Sequence, residues 1–278
     1  MTKHRPIRLI ALDLDGTLFS EDKTISPRNR DALRRASEAG VVVALASGRM
    51  TDCIAPAADA LGIDCPIIAY NGGMVRGPEA DGRAVLFHRP LGASYGDELI
   101  DFCRGRYLLN IYHDDRLYAE ETPELRRFSE IYATRTGANY EYVPDLGRFA
   151  GLGPTKAVIV TDPPEREHLH AEWYERWGGE TTIVKTDPEY LEFMERGTDK
   201  GVALVGLCEA LGVPPEAAMA CGDGDNDAEM LAAAGLGVAM ANATPRTLAA
   251  ADEVSPLTHA QDAVADAVER HVLTSSGS

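Results

Sequence analysis

Two carboxylates separated by one leucine, Asp13-Leu14-Asp15, follow an apolar run at residues 7–12 and are cut off by Gly16-Thr17. Side chains alternate along a strand, so this spacing sends Asp13 and Asp15 to the same side of the chain. Like charges placed so are tolerated only in a solvated crevice or around a cation. A strand-ending Asx turn uses the same residues without chemistry, and the pair gains meaning only from its company. A second acidic cluster, Gly222-Asp223-Gly224-Asp225-Asn226-Asp227, follows abruptly on the apolar run 217–221. A helix–loop–helix calcium loop is the rival reading. It fails because a strand precedes the cluster and no Glu stands at the twelfth position. Two further polar residues stand at element ends: Ser47, before Gly48-Arg49, and Lys200, behind Asp199 at the opening of a helix. Ser47 also suits a helix cap. Lys200 sits in a first turn, where the macrodipole disfavours a cation by about a few tenths of a kcal/mol, which fits a lysine held for another purpose.

The elements that must position these residues alternate. Residues 7–12 read as a buried strand, Ser26-Pro27 opens a helix that Gly40 closes, and 41–46 form a second strand. A helix runs to Gly62, and a third strand, 66–70, ends at Asn71-Gly72-Gly73. This order predicts an α/β fold with a doubly wound parallel sheet. Right-handed crossovers then bring the carboxyl ends of its strands, with Asp13, Ser47 and Asn71, to one edge. Near residue 83 the texture changes to a strand at 84–88, a helix at 93–103, and a hairpin of 107–112 with 116–119 across His113-Asp114-Asp115. A helix at 123–136 and strands at 140–143, 156–161 and 181–185 follow, with a helix at 164–177 that holds Trp173 and Trp177. Two domains are expected: a core of residues 1–82 and 189–278, and an inserted α+β unit of residues 83–188. Residues 190–194 are read as returning to the core. Beyond the helix behind Lys200 come a strand at 217–221, a short helix to Ala234, strands at 236–240 and 252–254, and a closing helix at 262–271.

A formal charge of −17 over 278 residues argues against nucleic acid as a partner, because no basic footprint for a phosphate backbone is present. A small anion stays allowed where a metal and a few basic groups reverse the local field. The five cysteines are scattered without Cys-x-x-Cys spacing and read as reduced thiols. The basic start, residues 1–5, leads into a short apolar stretch with no cleavage pattern, and no apolar run approaches the ~20 residues that span a bilayer. A cytoplasmic protein without a membrane partner is expected, with a frayed Ser-Gly-rich end.

The order of these motifs resembles the haloacid-dehalogenase-like (HAD) phosphatase superfamily, in particular its Cof-type sugar-phosphatase branch. Asp13-Leu14-Asp15-Gly16-Thr17-Leu18 matches the first motif, Ser47-Gly48-Arg49 the second and Lys200-Gly201 the third. Gly222-Asp223-Gly224-Asp225-Asn226-Asp227, with Met230-Leu231 behind it, matches the fourth and most specific. The likeness runs to about Thr247. One helix fits between Asp15 and Ser47, so the insertion is similar to the larger α/β cap of that branch. The resemblance implies a Mg²⁺-dependent phosphatase for small phosphorylated metabolites, sugar phosphates or a phosphorylated cofactor. In it Asp13 is the nucleophile, and Asp15 is the general acid and then the base. Asp13, the backbone carbonyl of Asp15 and Asp223 hold the metal, with Asp227 on it or behind it. Ser47 and Lys200 hold the phosphoryl oxygens, Asn226 and less directly Asn71 lie by the phosphate or the attacking water, and Arg49 is a substrate contact or a structural residue.

The closing segment, residues 258–264, departs from the branch by lacking its Asn and Gly-Val pair, and Thr198-Asp199 replaces a small or apolar residue and a serine. Asp199 caps the helix equally well. Two other readings stand beside hydrolysis. A phosphomutase would need a second anion site in the cap, where basic residues are not clustered. A non-catalytic phospho-acceptor switch would be shorter and uncapped. Tyr112, His113, Asp114, Asp115, Tyr118 and Lys185 are cap candidates for substrate contact, but a hairpin tip is polar because it is exposed.

Overall fold

In a computed structural model, which describes residues 6–120 and 122–274, strand β1 (Leu9–Asp13) is buried at every position. A strand covered on both faces of a parallel sheet has no use for alternation, which explains its continuous apolar run. The basic start and the Ser-Gly-rich end lie outside the described residues. Helix α1 (Pro27–Glu38) begins where Ser26 accepts a hydrogen bond from the Asn29 N–H at 3.0 Å with Pro27 in the first turn, both good starts for a helix. Strand β2 (Val42–Ala46), helix α2 (Thr51–Leu61) and strand β3 (Ile67–Ala69) follow, and α2 ends on Gly62 in the left-handed region. Strand β4 (Met74–Arg76) returns antiparallel to β3, and β5 (Val85–His88) lies beside it.

The chain divides into two compact units, one of residues up to Phe87 and from Asp199 onward, the other His88–Thr198. In the second unit helix α3 (Ala93–Cys103) leads to hairpin strands β6 (Leu108–His113) and β7 (Arg116–Glu120). The turn residues Asp114 and Asp115 both have positive φ, 49° and 62°, the backbone that a two-residue hairpin demands. Helix α4 (Arg126–Thr136), strands β8 (Tyr140–Val143) and β9 (Lys156–Val160), helix α5 (Pro163–Trp177) and strands β10 (Thr181–Lys185) and β11 (Tyr190–Glu195) complete it. The six strands run β10-β11-β9-β6-β7-β8. Leu109, Ile111, Ala157, Ile159, Leu191 and Phe193 form a core with Trp173 and Trp177. The return expected at residues 190–194 is therefore corrected. That segment is β11, held antiparallel between β10 and β9, and the second unit runs to Thr198, not to residue 188. Its first boundary likewise falls after Phe87, because β5 joins the first sheet.

Back in the first unit come helix α6 (Lys200–Leu211), strand β12 (Ala218–Gly222), helix α7 (Ala228–Ala233), strand β13 (Leu236–Ala239), helix α8 (Pro245–Ala250), strand β14 (Glu253–Val254) and helix α9 (Ala263–Val268). The sheet order is β14-β13-β12-β1-β2-β3-β4-β5. It is parallel from β14 to β3, as the alternation of elements predicts, with β4 added antiparallel to β3. Helix α8 adds a short element between β13 and β14, and the closing α-helix is shorter than the expected 262–271, giving way after Val268 to a π-helical turn. Leu9, Ala11, Ala44 and Ala46 on one sheet face pack with Leu204 and Leu207 of α6 and Met230 and Leu231 of α7.

Candidate active site

β1 lies between β2 and β12, so the sheet is wound outward in both directions from it. The crevice at the carboxyl ends of β1 and β12 is thus the switch point where open α/β sheets take ligands. The register sets Asp13 against Ala46 and Leu12 against Cys221, which brings Asp13, Ser47 and Asp223 to one edge within a residue or two of their strand ends.

Lys200 is the centre of this edge. It is fully buried, and its Nζ donates to Asp13 Oδ1 and to Asp227 Oδ1, both at 2.6 Å. The Asp199 side chain caps α6 by accepting from the Val202 N–H at 2.8 Å, fixing the first turn that carries Lys200. Gly201 lets that turn approach α7, because a Cβ there would stand 2.4 Å from the Glu229 carbonyl oxygen. Asp227 spends its other oxygen, Oδ2, on the N–H groups of Asp223 and Gly224, both at 2.9 Å. It therefore folds its own loop and holds Lys200. Asp223 accepts from the Thr17 hydroxyl at 2.8 Å through Oδ1 and from Asn242 Nδ2 at 3.1 Å through Oδ2.

Three carboxylates around one ammonium leave negative charge in excess. Burial pushes the Asp13 carboxyl up to about 7; Lys200 works against this, and Asp227 and Asp223 add to it. At Lys200 burial pulls downward, yet Asp13 and Asp227 together outweigh it and the ammonium is held above its ordinary range. The two directions are compatible because Lys200 has two partners, whereas Asp13 shares its cation with a second carboxylate. Burial also raises Asp223, with the Thr17 hydrogen bond opposing. Carboxylate oxygens of Asp13, Asp223 and Asp227 lie within 4.8 Å of one another. An all-oxygen donor set with surplus charge fits a hard divalent cation.

Asp15 is placed differently from Asp13. β1 ends at Asp13, and the N–H groups of Thr17, Leu18 and Phe19 all turn back to the Leu14 carbonyl. Strand alternation therefore ends at Asp13 and does not by itself set where Asp15 points. Asp13 is buried, while the Asp15 side chain keeps 39% exposure and accepts from Arg49 at 2.8 and 3.1 Å and from Lys23 at 2.6 Å. Arg49, read as a substrate contact or a structural residue, thus sits on the second carboxylate. Ser47 is buried, and its hydroxyl accepts from the Arg49 N–H at 3.3 Å. Asn226 donates to Asn71 Oδ1 at 2.9 Å, and the Asn71 N–H donates to the Ser47 carbonyl at 3.1 Å, so both asparagines join the edge that Ser47 marks. Thr17, Lys23 and Asn242 were not read from the sequence. Asn242 follows the strand-end run 236–240, and the strand-end rule that picked out Ser47 and Asn71 would have found it too.

Among the described residues no helix is long and apolar enough to cross a membrane. A family model for haloacid dehalogenase-like hydrolases matches residues 10–268. Phosphatase YwpJ of Bacillus subtilis is 29% identical over 96% of this chain and all of its own length. Pyridoxal phosphate phosphatase YbhA of Escherichia coli is 31% identical over 96% of this chain and 99% of its own. The crystal structure of a haloacid dehalogenase-like hydrolase from Bacteroides thetaiotaomicron superposes with a TM-score of 0.82 at 32% identity, covering 95% of this chain and 99% of that one. With a family model matched over most of its length and such a structure superposed on it, the chain belongs to the haloacid dehalogenase-like hydrolases.

Proposed function

We propose that the protein hydrolyses small phosphorylated metabolites through a phosphate ester formed on Asp13, with Mg²⁺ as its cation. The observation that carries the reading is Lys200, buried and bridging Asp13 and Asp227 at 2.6 Å beside a third carboxylate, Asp223. An ammonium spent on two carboxylates keeps one N–H for a phosphoryl oxygen. Asp13 attacks phosphorus, and the ester oxygen leaves with a proton from Asp15. Water then attacks the aspartyl-phosphate while Asp15 takes its proton, and inorganic phosphate and the Asp13 carboxylate are regenerated. Ser47 and Lys200 hold the phosphoryl oxygens as charge spreads over them. Asp13, Asp223 and the backbone carbonyl of Asp15 would hold Mg²⁺, which supplies charge neutralisation at the phosphoryl group. Asn226 and Asn71 border the phosphate. Arg49 and Lys23 both contact Asp15 and must yield it to the leaving oxygen and then to the attacking water.

We assign substrate selection to the second unit. Hydrolysis is favoured over a mutase because Lys156, Lys185, Arg127 and Arg135 of that unit are each spent on a carboxylate. The relative named as a pyridoxal phosphate phosphatase supports a phosphorylated cofactor as the substrate class. The test is phosphate release from an aryl phosphate with and without Mg²⁺. Asp13→Asn should lower turnover by about 10³-fold or more with an unchanged unfolding temperature. Retained turnover in that variant would remove Asp13 as nucleophile.

A further inference from the structure

We propose that Asn242 is a positioning residue for Asp223 that ties the loop after β14 to the cation-binding carboxylates. The inference rests on the metal reading above and adds a residue to it. Asn242 lies at the exposed rim, two residues beyond Met240, yet three hydrogen bonds fix its amide. Nδ2 donates to the Gly16 carbonyl at 2.9 Å and to Asp223 Oδ2 at 3.1 Å, and Oδ1 accepts from the His259 N–H at 3.0 Å. A carbonyl on one side and an N–H on the other leave one orientation of the amide possible.

These partners come from three segments: the loop after β1, the loop after β12 and the loop after β14. Gly16 is held at φ 83°, and a Cβ there would stand 2.3 Å from Asp223 Oδ2, so the backbone of the first loop meets the carboxylate directly. Thr17 and Asn242 then give Asp223 one neutral donor on each oxygen. Neutral donors orient a carboxylate without cancelling the charge that a cation needs. Each oxygen keeps a lone pair for coordination. Partners behind a metal ligand typically contribute about 10- to 100-fold in affinity, and Asn242 stands in that relation to Asp223.

Isothermal titration of the full-length protein with MgCl₂ tests this. Asn242→Ala should weaken Mg²⁺ binding about tenfold or more, with little change in unfolding temperature in EDTA. Binding within twofold of the parent protein would overturn the proposal. A parent protein that binds no Mg²⁺ would remove the metal reading as well, which separates the two failures.

A second pair of variants applies should Asn242→Ala not fold. His259→Pro removes the N–H that Oδ1 accepts together with the imidazole, at the first position of a short helix whose cap, Thr258, has an extended ψ of 170°, a place where proline is tolerated. His259→Ala removes the imidazole and keeps that N–H. Weaker Mg²⁺ binding in the proline variant than in the alanine variant supports the tether, and equal binding in the two refutes it.

Discussion

Lys200 and Lys156 are both buried lysines facing carboxylates, one in each unit, and their surroundings differ in charge balance and in place. Lys156 lies inside the second sheet, 3.3 Å from Glu192 and with its Nζ 5.1 Å from the Tyr112 ring centre; Glu192 also takes the Thr186 hydroxyl at 2.9 Å. One cation meets one carboxylate there, and strands enclose both. Lys200 lies where strands end, between two carboxylates with a third beside them. A balanced pair inside a sheet asks for nothing further. A surplus of negative charge at a sheet edge is stable only with protons or a cation, and under the proposed function that imbalance is what separates the chemical cluster from the structural one.

Breaking each cluster separates them. Lys200→Met should lower kcat for phosphate release about 10²- to 10³-fold, read in a steady-state assay. Lys156→Met should leave kcat of the folded protein within about twofold and cost about 3–5 kcal/mol in urea unfolding, because Glu192 is left buried and unpaired. The double variant Lys156→Met/Glu192→Leu should recover most of that loss, since apolar replacements of a buried pair are often neutral. Failure to recover would show that the pair does more than balance its own charge.

The surplus also gives the first cluster a pH dependence. Asp13 is raised in the folded protein to about 7 from 3.8, so its contribution to stability is present below the unfolded value and lost as pH rises through the folded one. A cation offsets the charge left behind, and the gain in unfolding temperature on adding Mg²⁺ should be larger at pH 8 than at pH 6. An equal gain at both would mean that the cation does not meet Asp13. The smallest effect belongs to Lys23, whose ion pair with Asp15 is 61% and 39% exposed. Lys23→Met should change stability by less than about 1 kcal/mol.

Legibility in the sequence followed the range of the interactions involved. Ser26-Pro27, Asp199 before Lys200 and the Asp114-Asp115 turn are local devices acting over a few residues, and helix starts and hairpin appear where their residues predict. Residues 190–194 misled because an apolar run does not say which of two sheets it will join. β11 was decided by its ladders to β9 and β10, partners distant in sequence. Alternation reaches no further than Asp13, where β1 stops, and the partners of Asp15, Arg49 and Lys23, come from outside that strand.

Legible along the chain were the strand ends, the start of α6 and the chemical types set on them: Asp13, Ser47, Asn71, Lys200, Asp223 and Asp227, with a doubly wound sheet to carry them. Those are consequences of hydrophobic periodicity and turn chemistry, which act along the chain. Tertiary structure alone decided which charges face each other. Lys200 meets Asp13 across 187 positions, Asn242 meets Gly16 across 226, and Arg49 meets Asp15 across 34. Such pairings depend on strand order and register, and no local pattern encodes a distance between segments that only the folded sheet brings together.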